Sequence, residues 1–275
     1  MKLVSYRAGA GGERVGELRD GGRVVELKAA SMVDWLAGAG HGAAGPEHAL
    51  ADLRLLAPIP RPPSVRDFFA YEEHVRAGFK LRGAEIAPAW YEAPTFYFSN
   101  PAAIFGAGEA VRRPAGSRRL DFELEIAVAL GADRAIAGFM LMNDWSARDL
   151  QAMEMTVGLG PAKGKDFATS LGPWLVTADE LPYDGERLEL EASVMVNDRV
   201  VTRTSSRPMQ FSWPELVAHA ARDTVLHPGD VLGSGTLNRG CLLELGPIDG
   251  RWIEPGDVVA LSAPGLGELR TPVTA

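Results

Sequence analysis

Leu120-Asp121-Phe122-Glu123-Leu124-Glu125-Ile126-Ala127-Val128 alternates polar and apolar residues almost without a break. Successive side chains of a strand point to opposite faces. A strand here therefore puts Glu123 and Glu125 on one face and Leu124, Ile126 and Val128 on the other. The simplest reading is an antiparallel strand with its polar face in water. The segment Asn143-Asp144-Trp145-Ser146-Ala147-Arg148-Asp149-Leu150-Gln151 argues for more, because it follows an apolar strand expected over 136–143. Asp144 falls at that strand's end, just before a helix expected over roughly 146–155, where Asp144 or Ser146 would serve simply as an N-cap. A neighbouring strand end would instead bring Asp144 to the glutamate pair. Three converging carboxylates repel one another strongly at low dielectric, and a hard divalent cation relieves that repulsion. All-oxygen sites suit Mg²⁺ or Mn²⁺, and Ca²⁺ is also compatible.

Outward from this centre, strands dominate. They are expected at 121–130, 136–143, 173–177, 187–196, 199–202, 230–232, 241–245 and 258–262, with a second helix near 213–222. Two Pro-Gly-Asp turns, at 228–230 and 255–257, each lead into an apolar run. Toward the N-terminus, Met1–Tyr6, Arg14–Leu18 and Arg23–Leu27 read as short strands, with Asp20-Gly21-Gly22 as a hairpin turn. Residues 30–55 are alanine-rich and read as helical. Pro58-Ile59-Pro60-Arg61-Pro62-Pro63 fits neither a helix nor a central strand, since proline fixes φ and removes the amide donor. It is taken as the link between a small N-terminal domain, 1–60, and a main domain, 61–275. Asp67 to about Lys80 has a helical look, and 78–95 reads as a long loop or lid. The class is a β-rich α+β protein, a folded-over sheet or roll.

The chain's 46% hydrophobic and 23% charged residues are the balance of a soluble globular protein. Its net charge of −8, with no basic run, makes it a poor binder of nucleic-acid phosphates, and no nucleic-acid partner is expected. Cys241 is the only cysteine, so no intrachain disulfide forms. The N-terminus lacks a signal-peptide pattern and no stretch approaches the ~20 apolar residues of a membrane span. A cytoplasmic protein is expected.

Other residues are open to chemistry. His74 lies in the polar, aromatic run Arg66-Asp67-Phe68-Phe69-Ala70-Tyr71-Glu72-Glu73-His74, seven residues after Asp67. It reads as a general base or as a surface helix histidine beside two glutamates. Arg148 and Gln151 share a helix face, either to hold a ligand carboxylate or carbonyl or merely to face solvent. Lys163 and Lys165 sit in a glycine-punctuated loop without the spacing of a phosphate-binding loop. Signatures of serine hydrolases, zinc proteases and dinucleotide-binding folds are missing.

Together these residues resemble the fumarylacetoacetate hydrolase family, from about Arg66 to the C-terminus. The strongest pieces are Leu120–Glu125, Asn143–Gln151 and Gly164–Pro173. The resemblance implies a β-roll catalytic domain with a small N-terminal domain, assembled as a homodimer. It implies a divalent metal, Mg²⁺ or Mn²⁺, on Glu123, Glu125 and Asp144, with Asp67 as a fourth carboxylate. Arg148, Gln151 and Thr236 match substrate-binding positions, and Lys165 matches a lysine that stabilises the leaving carbanion or oxyanion. Some members pair the histidine with a glutamate three residues later, where this chain has Ala77. The segment Gly233–Leu245 resembles instead a C-terminal strand that carries the partner, which makes the catalytic dyad His74–Glu244. Phe69 and Gly83 depart from the family's namesake enzyme, which has a tyrosine and an arginine there, and the lid between 78 and 98 has its own sequence.

The resemblance implies metal-dependent hydrolysis of a C–C bond in a small 1,3-dicarbonyl acid of the acylpyruvate, fumarylpyruvate or fumarylacetoacetate type, as in aromatic catabolism. Within the family, the same chemistry also serves decarboxylation of oxaloacetate, isomerisation of 2-hydroxyhepta-2,4-diene-1,7-dioate or dehydration of a sugar acid. A non-catalytic β-roll that binds a metabolite is the alternative from another class.

Overall fold

A computed structural model describes residues 1–275. The alternating run at 120–130 is broken rather than continuous. Leu120–Asp121 pairs with Ser146–Ala147, Glu123 bridges to Cys241, and regular pairing resumes over Leu124–Leu130. That strand lies antiparallel between Ile136–Asp144 and Val231–Gly233. Leu124, Ile126, Val128 and Leu130 enter the larger apolar core, while Ala127 and Ala129 enter a second one with Met32, Trp35 and Leu36. The sheet is thus covered on both sides. The glutamate face is dry: Glu123 is 3% exposed and Glu125 0%, so the reading of a water-facing strand does not hold.

From edge to edge, the main sheet runs Ala43–Ala49, Arg23–Leu27, Arg14–Arg19, Lys2–Ala8, Thr169–Thr177, Ile136–Asp144, Leu124–Leu130, Val231–Gly233, Val65–Phe68 and Phe96–Ser99. Leu53–Leu55 joins it beside Lys2–Ala8, and Ile104–Phe105 beside Thr169–Thr177. A smaller sheet runs Arg199–Ser205, Glu191–Val196, Val258–Ala263, Gly267–Thr274 and Val111–Arg112. The larger core draws on both sheets, with Leu124 and Val128 from one and Val194, Leu261 and Leu269 from the other. The architecture is the β-rich α+β class expected. No helix is long and apolar enough to cross a membrane.

Several local expectations give way. Of residues 30–55 only Met32–Leu36 is α-helical, opened by Asp34 N–H donating to Ser31 Oγ at 3.2 Å. The glycine-rich run 38–45 and Pro46 end it, and the alanines of 43–49 become an edge strand against Arg23–Leu27. Alanine's helix propensity is weak enough for strand pairing to override it. Asp67 lies on the strand Val65–Phe68, ahead of the helix Glu72–Leu81. The supposed lid starts within that helix and contains a helical turn at Ala89–Glu92. Residues 242–245 form a helical turn rather than a strand, because Asp121 accepts the N–H groups of Leu242 at 2.8 Å and Leu243 at 3.0 Å. An N-terminal acceptor of this kind satisfies donors that a strand would need a partner for. The strand Gly267–Thr274 was not foreseen.

Both Pro-Gly-Asp turns fold the same way. Asp230 accepts the His227 N–H at 2.7 Å and Asp257 the Glu254 N–H at 2.8 Å, each just before its strand. Asp257 also holds Arg251 through two hydrogen bonds, of 2.6 and 2.9 Å. Arg251 holds its carboxyl down at about 2, below the usual 3.8. A carboxyl whose folded pKa is depressed adds stability above its unfolded pKa, and that stability fades as pH falls toward the folded one. Asp257→Asn should therefore destabilise by about 1 kcal/mol at pH 7, a modest figure because the arginine is part-exposed. The deficit should shrink in urea unfolding at pH 3. A deficit constant in pH would leave the turn's backbone geometry as the cause.

Candidate active site

Five strand ends meet at one side of the sheet. Val65–Phe68 runs parallel to Val231–Gly233 with Asp67 opposite Gly233, Leu124 pairs with Asn143, and Asp144 pairs with Thr169. This register brings Asp67, Glu125 and Asp144 together, with one oxygen from each lying within 4.8 Å of the others. The segment Gly233-Ser234-Gly235 makes room for it. A Cβ at Gly233 would lie 2.5 Å from Asp67 Oδ1, and one at Gly235 would lie 2.4 Å from the Phe68 carbonyl oxygen. Gly235 has φ +80°, which glycine tolerates best, and its N–H donates to Asp67 Oδ1 at 3.2 Å.

The three carboxyls are unfavourably placed on their own. Burial, then the Asp144 charge, pushes Asp67 up; burial, then Asp67 and Asp144, pushes Glu125 up. Burial also raises Asp144, with Lys165 opposing it. Glu125 Oε2 and Asp144 Oδ1 are buried with no hydrogen-bond partner. Around them, six buried carboxylates (Asp67, Asp121, Glu123, Glu125, Asp144 and Glu244) face only two permanent cations, Arg148 and Lys165. An excess of buried negative charge with orphaned oxygens is what a hard cation neutralises, and an all-oxygen donor set suits Mg²⁺, Mn²⁺ or Ca²⁺. The residues present fit such an ion: Asp67, Glu125 and Asp144 converge on one place, and Glu123, the fourth carboxylate of the expected set, shares the Lys165 ammonium with Asp144.

Glu123 lies at the edge of this cluster, between it and His74. Its Oε1 accepts from Arg148 Nη2 at 2.7 Å, and Lys165 Nζ bridges its Oε2 to Asp144 Oδ2. Burial pushes Glu123 up, but Arg148, Lys165 and His74 outweigh it and hold the carboxyl well below the usual range. Burial disfavours the charged form of Lys165, and Asp144 and Glu123 outweigh that, raising the ammonium's pKa.

His74, on the helix Glu72–Leu81, is 5% exposed. Its Nδ1 lies 3.3 Å from Glu244 Oε2, and its Nε2 lies 3.6 Å from Glu123 Oε1, toward the carboxylates. Glu244 Oε1 accepts the Arg239 N–H at 2.9 Å, which fixes the carboxylate's orientation. Carboxylate acceptance at Nδ1 favours the tautomer with hydrogen there and a lone pair on Nε2. The sequence-level pairing of His74 with Glu244 is thus a contact in the fold. The Phe69 ring stands edge-on to His74, centroids 5.4 Å apart, so an apolar wall borders the histidine.

Arg148 is 6% exposed and fully engaged: Nε donates to Asp121 at 2.8 Å, and Nη1 to Gln151 Oε1 at 3.1 Å. Gln151 is only half-buried, which leaves its amide N–H₂ the more accessible of the pair. Thr236 Oγ1 donates to Glu125 Oε1 at 3.3 Å. Gly83 is exposed beyond the end of its helix. Three site neighbours had not been singled out. Asp121 ties Arg148 to the turn that carries Glu244, and it falls on the alternation of Glu123 and Glu125, so the pattern held that signal. Tyr97 Oη donates to Asp144 Oδ2 at 2.7 Å, and Cys241 Sγ touches both His74 and Glu244. Tyr97 reaches Asp144 only through the distant pairing of the sheet, and Cys241 meets Glu244 only because 242–245 folds as a helical turn where a strand is expected.

Comparison with known proteins bears on the family and the fold. Residues 64–274 match the family model described as fumarylacetoacetate (FAA) hydrolase C-terminal. Fumarylacetoacetase from Oryza sativa subsp. japonica is 32% identical over 291 residues, covering 80% of this chain and 67% of that one. The chain spans about two thirds or less of the fumarylacetoacetases it matches. The solved 5-carboxymethyl-2-hydroxymuconate delta-isomerase from Mycobacterium smegmatis superposes with a TM-score of 0.77 at 28% identity, covering 100% of this chain and 99% of that one. A 2-keto-3-deoxy-D-arabinonate dehydratase complexed with magnesium and 2,5-dioxopentanoate gives a TM-score of 0.76 at 25% identity, with the same coverage.

Proposed function

The chain belongs to the fumarylacetoacetate hydrolase family, and from that premise we propose that it is a divalent-metal-dependent hydrolase of a C–C bond in a small 1,3-dicarbonyl acid. Acylpyruvates, fumarylpyruvate and fumarylacetoacetate are the candidate substrates. The observation that carries the reading is the His74–Glu244 contact, with the free face of the imidazole turned toward the carboxylate cluster.

Asp67, Glu123, Glu125 and Asp144 would hold a divalent cation, which would supply Lewis-acid polarisation of a substrate oxygen. His74 Nε2 takes a proton from water, which attacks one carbonyl, while Glu244 fixes the ring and balances the imidazolium charge. The Lys165 ammonium, buried beside Glu123 and Asp144, brings positive charge to the place where the departing carbanion develops as an oxyanion. Arg148 sets the positions of Asp121 and Glu123, and Gln151 and Thr236 offer polar atoms to the substrate. The division into residues 1–60 and 61–275, and assembly as a homodimer, belong to the same proposal.

The isomerase and dehydratase neighbours, aligned over the whole chain, favour a second reading in which the same site acts without an attacking water. Decarboxylation of oxaloacetate falls in that class too. A panel of fumarylpyruvate, acetylpyruvate, fumarylacetoacetate and oxaloacetate, offered to metal-stripped protein with and without Mn²⁺, separates the two. Metal-dependent release of two acids from a diketo acid is the expected result. Turnover of oxaloacetate alone would replace the hydrolase with the decarboxylase, and ligand binding without turnover of any substrate would leave a metabolite-binding protein.

A further inference from the structure

Beside the oxygen cluster the fold gathers a donor set of different chemistry. His74 Nδ1, Cys241 Sγ and Glu244 Oε2 form a triangle: 3.3 Å from nitrogen to oxygen, 3.4 Å from sulfur to oxygen and 3.6 Å from sulfur to nitrogen. Tetrahedral Zn²⁺, with bonds of about 2.0 Å to nitrogen and oxygen and about 2.3 Å to sulfur, holds its donors about 3.3–3.6 Å apart. The three atoms already have the spacing of one face of such a site. They come from separate places, a helix, the residue before a helical turn, and the turn itself. All three side chains are buried, Cys241 completely. One nitrogen, one sulfur and one carboxylate oxygen favour a borderline or soft ion, whereas Asp67, Glu125 and Asp144 offer oxygen alone.

We propose that His74, Cys241 and Glu244 form a second metal site, specific for thiophilic ions such as Zn²⁺, whose occupation switches off the histidine. The site stands on donor geometry, while its effect on turnover rests on the base role proposed for His74. On loading, the Cys241 thiol releases its proton to solvent and its sulfur bonds to the ion. The imidazole hydrogen moves from Nδ1 to Nε2 as Nδ1 becomes a ligand. One proton is released per ion, and Nε2 no longer has the lone pair that would accept one from water. Hard ions continue to fill the oxygen cluster, so the two sites sort metals by softness.

Because Cys241 is the only cysteine, any thiolate-to-metal absorption reports on this site alone. The experiment titrates Co²⁺ into the full chain kept in excess Mg²⁺, then Zn²⁺ against turnover. Expected are a near-ultraviolet thiolate band saturating at one ion per chain, the strong visible bands of tetrahedral cobalt, and loss of activity as Zn²⁺ fills the same site. Cys241→Ser should lose the near-ultraviolet band and need about a hundredfold more Zn²⁺ for half-inhibition, and Glu244→Gln should keep the band but bind about tenfold more weakly. Absence of the thiolate band from the unsubstituted protein overturns the site without reliance on any variant. A band that saturates while Zn²⁺ leaves turnover of the Mg²⁺-loaded enzyme unchanged overturns the switch. Should no substrate be turned over at all, the absorption result still decides the site and only the proposed activity falls.

Discussion

Replacing His74 with alanine should lower kcat by about 10²- to 10⁴-fold, the range expected when a positioned general base is lost. The imidazole Nε2 has no permanent cation bonded to it, whereas Glu123 is held by Arg148 and Lys165, and Asp144 by Lys165. It is also outside the set that would hold the hard cation, so the affinity for Mg²⁺ or Mn²⁺ should stay within a few-fold. Glu244→Gln should fall between, because the amide still offers an oxygen to Nδ1 but no charge to balance the imidazolium. The measurement is kcat together with a calorimetric metal titration on the same preparations. A His74→Ala enzyme of near-normal kcat would remove the base assignment, and a large loss of metal affinity would move the histidine into the ligand set.

Much of this site was legible because strand alternation is local. Glu123 and Glu125 had to share a face, and Asp144 had to end a strand, whatever the rest of the chain did. Their burial was not legible, since it needs the helix Met32–Leu36 on one side and the smaller sheet on the other. Asp67 and Glu244 came from resemblance alone. The parallel pairing of Val65–Phe68 with Val231–Gly233 joins residues more than 160 apart, and no spacing rule reaches that far. The errors have physical causes too. Alanines at 43–49 suggested helix and became an edge strand, and Leu-Leu-Glu-Leu at 242–245 suggested strand until Asp121 accepted two of its backbone hydrogens. The pattern also treated Glu123 and Glu125 as equals. The fold separates them, giving Glu123 to Arg148 and Lys165 and leaving Glu125 beside Asp67.

That separation leads to the second large effect, on stability. Metal-free protein should gain about 3–4 kcal/mol from Mg²⁺ or Mn²⁺ at a hundred to a thousand times its Kd, provided the unfolded chain does not bind the ion. For a chain of this size that is a rise in Tm of roughly 5–7 °C. Glu125→Gln should behave in the opposite sense on both counts. Its amide fills the same space and removes a charge that burial, Asp67 and Asp144 all oppose. Breaking up buried like charges is stabilising when no counter-ion is present. The variant should therefore start with a metal-free Tm equal to or above that of the natural protein, and lose most of the metal-induced rise. Thermal unfolding of both proteins, each with chelator and then with Mn²⁺, checks the pair of effects together. A full metal-induced rise in the variant would show that the ion does not need Glu125. A lower metal-free Tm would show that this carboxyl is a structural partner rather than a charge held ready for a cation.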